Sequence, residues 1–401
     1  MLTEISSPIA RRGLADLSPV VSDSLLALIA MVNADPRADK IDVGVGVFRD
    51  GVGITPVMRS VKEAERRLLA EQSSKSYLGG AGDRRFAGLL RPIVLGPHGD
   101  DERIVGLQTP GGCGALFLAF KLIAAANPDA RVLVGTPTWP NHPPMIRGAG
   151  LGMVEYRHYD EQARTVDFAA LRDALSQGRP GDVALFHGCC HNPTGADLSP
   201  EQWREACAMV VERGLIPVVD LAYQGLGRGL EEDAIGPRML LDHCDEVLIS
   251  QSCDKNFGVY RDRVGCLFVK TGDTATSKLA MVHLLQISRE AWSMPPDHGA
   301  AAIRLVLEDE ALSADWEAEL TSMRERINSL RRKIAGSDPE LGYITGQYGM
   351  FSMLPLSKAQ VQGLRDQHAI YMADSGRFNI VGIADRDLDR FCAAVIGAMD
   401  G

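Results

Sequence analysis

Lys255 stands in the run Ser252-Cys-Asp-Lys255-Asn-Phe-Gly, with Arg263 eight residues further on. A lysine amine taken out of water has a lowered pKa and can attack an aldehyde to form an imine. Groups suited to the same ligand lie elsewhere in the chain. Asp220 is a carboxylate able to keep a pyridine nitrogen protonated, so that the ring draws electrons from a carbanion. Tyr223 and Asn192 can donate to a phenolate oxygen, and the Trp139 indole can stack on a ring. Gly111-Gly112-Cys113-Gly114, followed by the helix-forming run 115–126, makes a glycine-rich turn at a helix N-terminus, a cradle for phosphate. Arg263 can clamp that phosphate bidentately.

These residues meet only if the fold gathers them. The middle of the chain alternates short apolar runs, at 131–135, 183–187, 216–220, 246–250 and 264–270, with amphipathic stretches. Runs of Val, Ile and Leu without polar alternation predict strands buried on both faces of a mostly parallel sheet covered by helices. Ligands bind such sheets beyond the carboxyl ends of the strands. Trp139 follows the first run and Asn192 the second, Asp220 and Tyr223 close the third, and Lys255 follows the fourth. Helix punctuation supports the alternation: Ser199-Pro-Glu-Gln202 is an N-cap with Gly214 as the stop, and Pro56 opens a helix with Val57, Val61, Ala64 and Leu68 on one face. Beyond the sheet region, a charged helix over about 313–334 leads to short strands around 349–354 and 378–383. The opening segment, a helix at 25–32 and an extended run at 41–47, joins this second unit. The expected division is a large domain at 56–320 and a smaller α+β domain built from 1–55 and 321–401.

Composition bounds the function. With 401 residues the chain exceeds the roughly 250–300 at which one hydrophobic core stops growing. Apolar residues at 45% and charged residues at 23% are ordinary for a packed enzyme, and a net charge of −10 gives no general attraction for nucleic acid or anionic membrane. No basic segment followed by an apolar stretch opens the chain, which argues against a signal peptide. The eight cysteines include no C-x-x-C pair and are expected as reduced thiols in the cytoplasm. His187-Gly-Cys189-Cys190-His191 invites a metal reading, but without a spaced cysteine pair or an acidic partner these residues are better read as lining a strand end. Trp203 and Trp316 read as packing residues of amphipathic helices.

The motifs together resemble the class I aminotransferases that depend on pyridoxal phosphate, in the aspartate/aromatic subgroup. The resemblance rests on Ser252-Cys-Asp-Lys255-Asn-Phe-Gly-Val-Tyr260-Arg-Asp-Arg263, Thr136-Pro-Thr-Trp139-Pro-Asn141-His142, His187-Gly-Cys-Cys-His191-Asn192-Pro-Thr-Gly195 and Asp220-Leu-Ala-Tyr223. It continues in Asn33-Ala-Asp-Pro36, Gly44-Val-Gly46, Tyr77-Leu-Gly, Arg289-Glu-Ala-Trp-Ser-Met-Pro295 and Ser375-Gly-Arg377, so it spans almost the whole chain in order. It implies a fold-type I architecture, a homodimer with shared active sites, and ping-pong amino transfer between amino acids and 2-oxo acids. By position it implies that Lys255 carries the cofactor and shuttles the proton, while Asp220 pairs with the ring nitrogen. Tyr223 and Asn192 would hold the 3-oxygen, and Trp139 would stack. The phosphate would take Gly111, Gly112, Cys113, Ser252, Arg263 and the neighbour's Tyr77. Arg377 would grip the substrate α-carboxylate near Asn192 and Gly46, and the neighbour's Arg289 would meet a distal carboxylate.

Several positions depart from the pattern. Asp254 stands where the family has a serine near the phosphate, and it would repel a dianion unless it points away or Arg263 neutralises it. Cys113 replaces a hydroxyl donor with a weaker thiol. Weaker cofactor retention is the expectation. Met294 and Ser76 suit larger substrate side chains, whereas Val47, Arg49 and Thr55 lie closer to the aspartate-preferring pattern. The rival readings are decarboxylation or β-elimination on the same cofactor, a non-catalytic regulator of this fold, and a nicotinamide dehydrogenase. The last lacks the acidic strand end about 20 residues beyond its glycine turn.

Overall fold

The computed structural model describes residues 24–400, with Leu14 and Leu17 before them. Residues 1–13 of the expected small domain, and most of 14–23, lie outside the described residues. Seven strands form the main sheet: β1 (Ile104–Pro110), β2 (Arg131–Thr136), β3 (Gly152–Arg157), β4 (Val183–His187), β5 (Ile216–Leu221), β6 (Val247–Ser252) and β7 (Val264–Lys270). Their order is β1-β7-β6-β5-β4-β2-β3. All neighbours run parallel except β7, which is antiparallel to both β1 and β6. All five expected strands fall within two residues of their expected bounds, and β4 and β7 match to the residue.

Period-two alternation splits the strands between two cores. Val132, Val134, Val183, Leu185, Val218, Leu248, Leu267 and Val269 face the helices Gly111–Ala126 and Thr274–Ala291. Leu133, Ala184, Phe186, Val219, Val247, Ile249 and Phe268 face the other way, onto a core shared with the helices Arg84–Leu95, Pro200–Arg213 and His298–Glu308. The capping box at Ser199 and Gln202 is formed, and Gly214 closes that helix at φ 62°. The helix expected from Pro56 begins instead at Arg59, with Met58 as its cap. Val57 is exposed, while Val61, Ala64 and Leu68 are buried as expected.

Two links tie the chain ends together. Ile41–Asp42 pairs in parallel with Ile370–Tyr371, and Asn379 N donates to Val43 O. The extended run expected over 41–47 is a strand only at Ile41–Asp42. Helix Glu310–Ala335 spans both regions. Near its start Trp316 stacks on Phe257, with ring centroids 4.4 Å apart, and donates to Asn256 O at 2.8 Å. Near its end Arg331, 2% exposed, donates to the carbonyls of Ile344, Tyr348, Gly349 and Phe351. One helix therefore anchors both the turn that follows Lys255 and the segment carrying Phe351. Among the described residues no helix is long and apolar enough to cross a membrane.

Candidate active site

The strand register sets the site. Asp220 pairs with His187 on one side and Ser250 on the other, so the carboxyl ends of β4, β5 and β6 stand level. Beyond them opens a cavity of about 240 Å³ lined by Gly46, Gly112, Cys113, Trp139, Asn192, Asp220, Tyr223, Ser252, Lys255, Arg263 and Arg377. Eleven residues singled out from the sequence thus share one cavity. Gly111 adjoins it, because a Cβ there would lie 2.7 Å from Arg263 Nη2. Gly111 also has φ +68°, which disfavours any other residue. Gly265 of β7 lies under the same turn, where a Cβ would be 2.5 Å from the Gly111 carbonyl carbon.

Two expected residues lie outside this cavity. Tyr77 is 91% exposed, and Arg289 is exposed near the end of helix Thr274–Ala291. Neither lines the cavity of its own chain.

Within the cavity the electrostatics are uneven. Burial pushes the Lys255 amine below the ordinary lysine range, an effect that Asp254 and Asp220 partly oppose. Lys255 Nζ lies 5.4 Å from the centre of the Tyr223 ring. Burial raises the Tyr223 phenol, so it stays a donor at neutral pH. Asp220 is 6% exposed and its Oδ2 meets His142 Nε2 at 3.1 Å. The carboxyamide oxygen of the buried Asn192 makes no hydrogen bond among the described residues. Arg377 Nη2 donates to Gly44 O at 2.6 Å, and its guanidinium sits 4.6 Å from the Phe351 ring.

Sequence reasoning placed three residues that shape this site outside it. His142 extends the Asp220 contact inward: Thr138 Oγ1 lies 2.8 Å from His142 Nδ1 and 3.1 Å from His187 Nε2. Phe351 walls the cavity beside Arg377 and Gly46. Trp316, read only as packing, also fixes the Lys255 turn. The signal for His142 was present in its spacing three residues after Trp139, where a turn joins His142 N to Trp139 O; the Phe351 and Trp316 contacts join distant segments and leave no local trace. Cys189 and Cys190 approach Asp233, but that carboxylate already accepts from the N–H groups of Gly225, Gly227 and Arg228.

The donor set fits pyridoxal phosphate: an amine of lowered pKa, a carboxylate and a phenol at strand ends, and an indole. A glycine cradle at the first turn of helix Gly111–Ala126 completes it, where a Cβ on Gly112 would meet Ser252 at 3.0 Å. The family profile described as "Aminotransferase class I and II" matches residues 38–395. The chain is 47% identical to a tyrosine aminotransferase of Rhizobium meliloti over 92% of this chain and 95% of that protein. It is 39% identical to an aspartate aminotransferase of Escherichia coli, covering 96% and 99%. The crystal structure of an aromatic-amino-acid aminotransferase from Burkholderia pseudomallei, covalently bound to pyridoxal phosphate, matches with a TM-score of 0.93 at 33% identity, covering 96% of this chain and all of that one. The chain is a fold-type I enzyme and belongs to the class I and II aminotransferases, which depend on pyridoxal phosphate.

Proposed function

We propose that this enzyme moves the α-amino group of aspartate, glutamate or an aromatic L-amino acid to a 2-oxo acid, with Lys255 as the residue joined to the cofactor. The observation that carries the reading is the convergence of Lys255, Asp220, Tyr223, Asn192 and Arg377 on one cavity at the strand ends. Pyridoxal phosphate, when bound, supplies an aldehyde that takes up the amino group and an electron-poor ring that stabilises charge on the substrate α-carbon. The Lys255 amine, with its pKa depressed, accepts and returns the α-proton. Asp220, held by His142, keeps the ring nitrogen protonated. Tyr223 and Asn192 hold the 3-oxygen, and Trp139 covers the ring face. Gly111, Gly112, Cys113, Ser252 and Arg263 hold the phosphate, and Arg377 clamps the substrate α-carboxylate beside Gly46.

The exposure of Tyr77 and Arg289 supports a homodimer in which each subunit lends these two residues to its neighbour's site. The pairing of Ile41–Asp42 with Ile370–Tyr371 supports a small domain drawn from residues 1–55 and 321–401 against a large one at 56–320. The eight unpaired cysteines, seven of them buried, are in keeping with a cytoplasmic protein. For substrate range, Met294 Sδ accepts from Leu78 N at 3.2 Å, beside Tyr77, while Arg49 is turned onto Asp42 at 2.9 Å. Met294, like Tyr77, lies outside the cavity of its own chain, whereas the Phe351 ring lines that cavity and favours aromatic side chains.

A half-reaction tests the proposal. Mixed with aspartate, glutamate, phenylalanine or tyrosine and no oxo acid, the loaded enzyme should release one equivalent of 2-oxo acid per site and then stop. Continuous product or release of carbon dioxide would assign decarboxylation or elimination instead.

A further inference from the structure

One charged side chain in the cavity wall has no part in amino transfer as described. Asp254 is 1% exposed and lines the cavity next to Lys255. Its Oδ1 accepts from Val264 N at 3.0 Å, its Oδ2 accepts from Arg263 Nη1, and its own N–H is 3.4 Å from Ser252 Oγ. A Cβ on Gly111 would lie 3.0 Å from Asp254 Oδ2 and 2.7 Å from Arg263 Nη2, so carboxylate and guanidinium stand side by side against the glycine turn. Asp254 therefore does not point away from the phosphate groove; Arg263 neutralises it there.

This pairing alters what the groove can hold. The backbone N–H groups of the first helical turn, the Ser252 hydroxyl and Arg263 are donors, whereas an ionised carboxylate only accepts, with lone pairs to spare beyond its two partners. A phosphate dianion also only accepts, so it meets Asp254 with no proton between them. A phosphate that keeps one proton can give it to Asp254 in a short, charge-assisted hydrogen bond. The titratable and charged groups facing Asp254 are Arg263, Lys255, Tyr260 and Cys253, with Cys113 and Asp220 across the cavity. Arg263 is the cation nearest to it, and the pair together contributes no net charge to the anion.

We propose that Asp254 makes this groove a site for a singly protonated phosphate ester, one proton being shared between the phosphate and the Asp254 carboxylate, and that a fully ionised oxyanion is rejected. The proposal rests on the reading that the cofactor phosphate binds here, and it names a selectivity of that site. The second ionisation of a phosphate monoester lies near 6 in water, so the groove holds a proton that solution at pH 7 would remove.

Phosphorus NMR of the full chain loaded with pyridoxal phosphate, followed from pH 6 to 8.5, tests it. The wild-type resonance should remain at the singly protonated position to at least about one pH unit above the free ester's midpoint. In Asp254→Ser and Asp254→Asn it should be that of the dianion throughout. A dianion resonance across the whole range in the wild type overturns the proposal, whether or not the variants fold. Inorganic phosphate and sulfate, added to the cofactor-free full chain and read by thermal shift at pH 7, give an independent arm. Sulfate carries no proton at that pH and should bind at least about tenfold more weakly than phosphate, a preference worth about 1.4 kcal/mol; equal binding overturns the proposal. Because this arm needs no link to Lys255, a retained phosphate preference without the absorbance of lysine-linked cofactor would count against the amino-transfer reading alone.

Discussion

Asp220 reaches the cavity with one carboxylate oxygen 3.1 Å from His142 Nε2, and His142 is fully buried between Trp139 and His187. A hydrogen bond to a charged group contributes about 1.5–3 kcal/mol, which corresponds to roughly ten- to hundredfold in rate if it is used in the transition state. Replacing His142 by Ala should therefore lower kcat by about that factor while KM for the amino acid changes little, since His142 lines no substrate contact. A loss confined to KM would show that His142 serves substrate binding rather than the placing of Asp220. Arg289 gives a second test at this scale. Arg289→Leu should slow aspartate far more than phenylalanine, because only aspartate carries a distal carboxylate for the guanidinium to meet. Equal losses in kcat/KM for both would remove that contact from the account. Asp220, Lys255 and Arg377 were legible from residue type and motif, whereas Asp254 was legible only as an oddity. Its partner Arg263 lies nine residues on, across a turn whose geometry no spacing rule supplies.

The elements explain which strands the sequence disclosed. The five expected strands are the central ones, where burial on both faces demands unbroken apolar runs. The two it missed, β1 and β3, form the sheet edges. Gly106 and Gln108 interrupt β1, and Glu155 and Arg157 of β3 face solvent, so neither carries the apolar signature. The strand ends also carry a row of histidines, with His158 and His191 buried and His187 half-buried. His158 stacks on His191 at 3.8 Å, and His191 contacts His187 at 4.1 Å. Burial lowers the pKa of all three, His158 from 6.5 to about 4. Since the folded value lies below the unfolded one, each favours the folded state above pH 6.5, and that contribution is lost as the pH falls toward the buried value. For His158 alone a displacement of that size is worth about 3 kcal/mol. His158→Phe should accordingly unfold at lower pH than the wild type, as followed by far-ultraviolet circular dichroism between pH 7 and 4. An unchanged or higher acid midpoint would show that His158 is not the group whose protonation opens the fold.

At the scale of the whole molecule the question is which chain completes which site. Tyr77 and Arg289 are exposed on a chain whose own cavity does not include them. In a twofold dimer the same surface serves both subunits, so each defect can be supplied by the other chain. Mixing Lys255→Ala with Arg289→Leu subunits, then unfolding and refolding them together, should restore aspartate turnover. The expected level is about a quarter of the wild-type value, since half the dimers are mixed and one of their two sites is intact. No recovery would mean that Arg289 acts within its own subunit. The sequence could imply such sharing only through family resemblance, because a surface residue carries no local mark of any partner it would serve. Everything in the fold nonetheless bears on a single amine, with the ends of β2, β4, β5 and β6 leading to it and helix Glu310–Ala335 bracing the turn behind it. The most direct measurement is the absorbance spectrum of purified wild-type and Lys255→Ala protein on addition of pyridoxal phosphate, with amino transfer followed on the same samples. The wild type should develop the absorbance of lysine-linked cofactor and turn over, and the variant should do neither. A variant that transfers amino groups at the wild-type rate, or a wild type that never acquires that absorbance, would contradict the account.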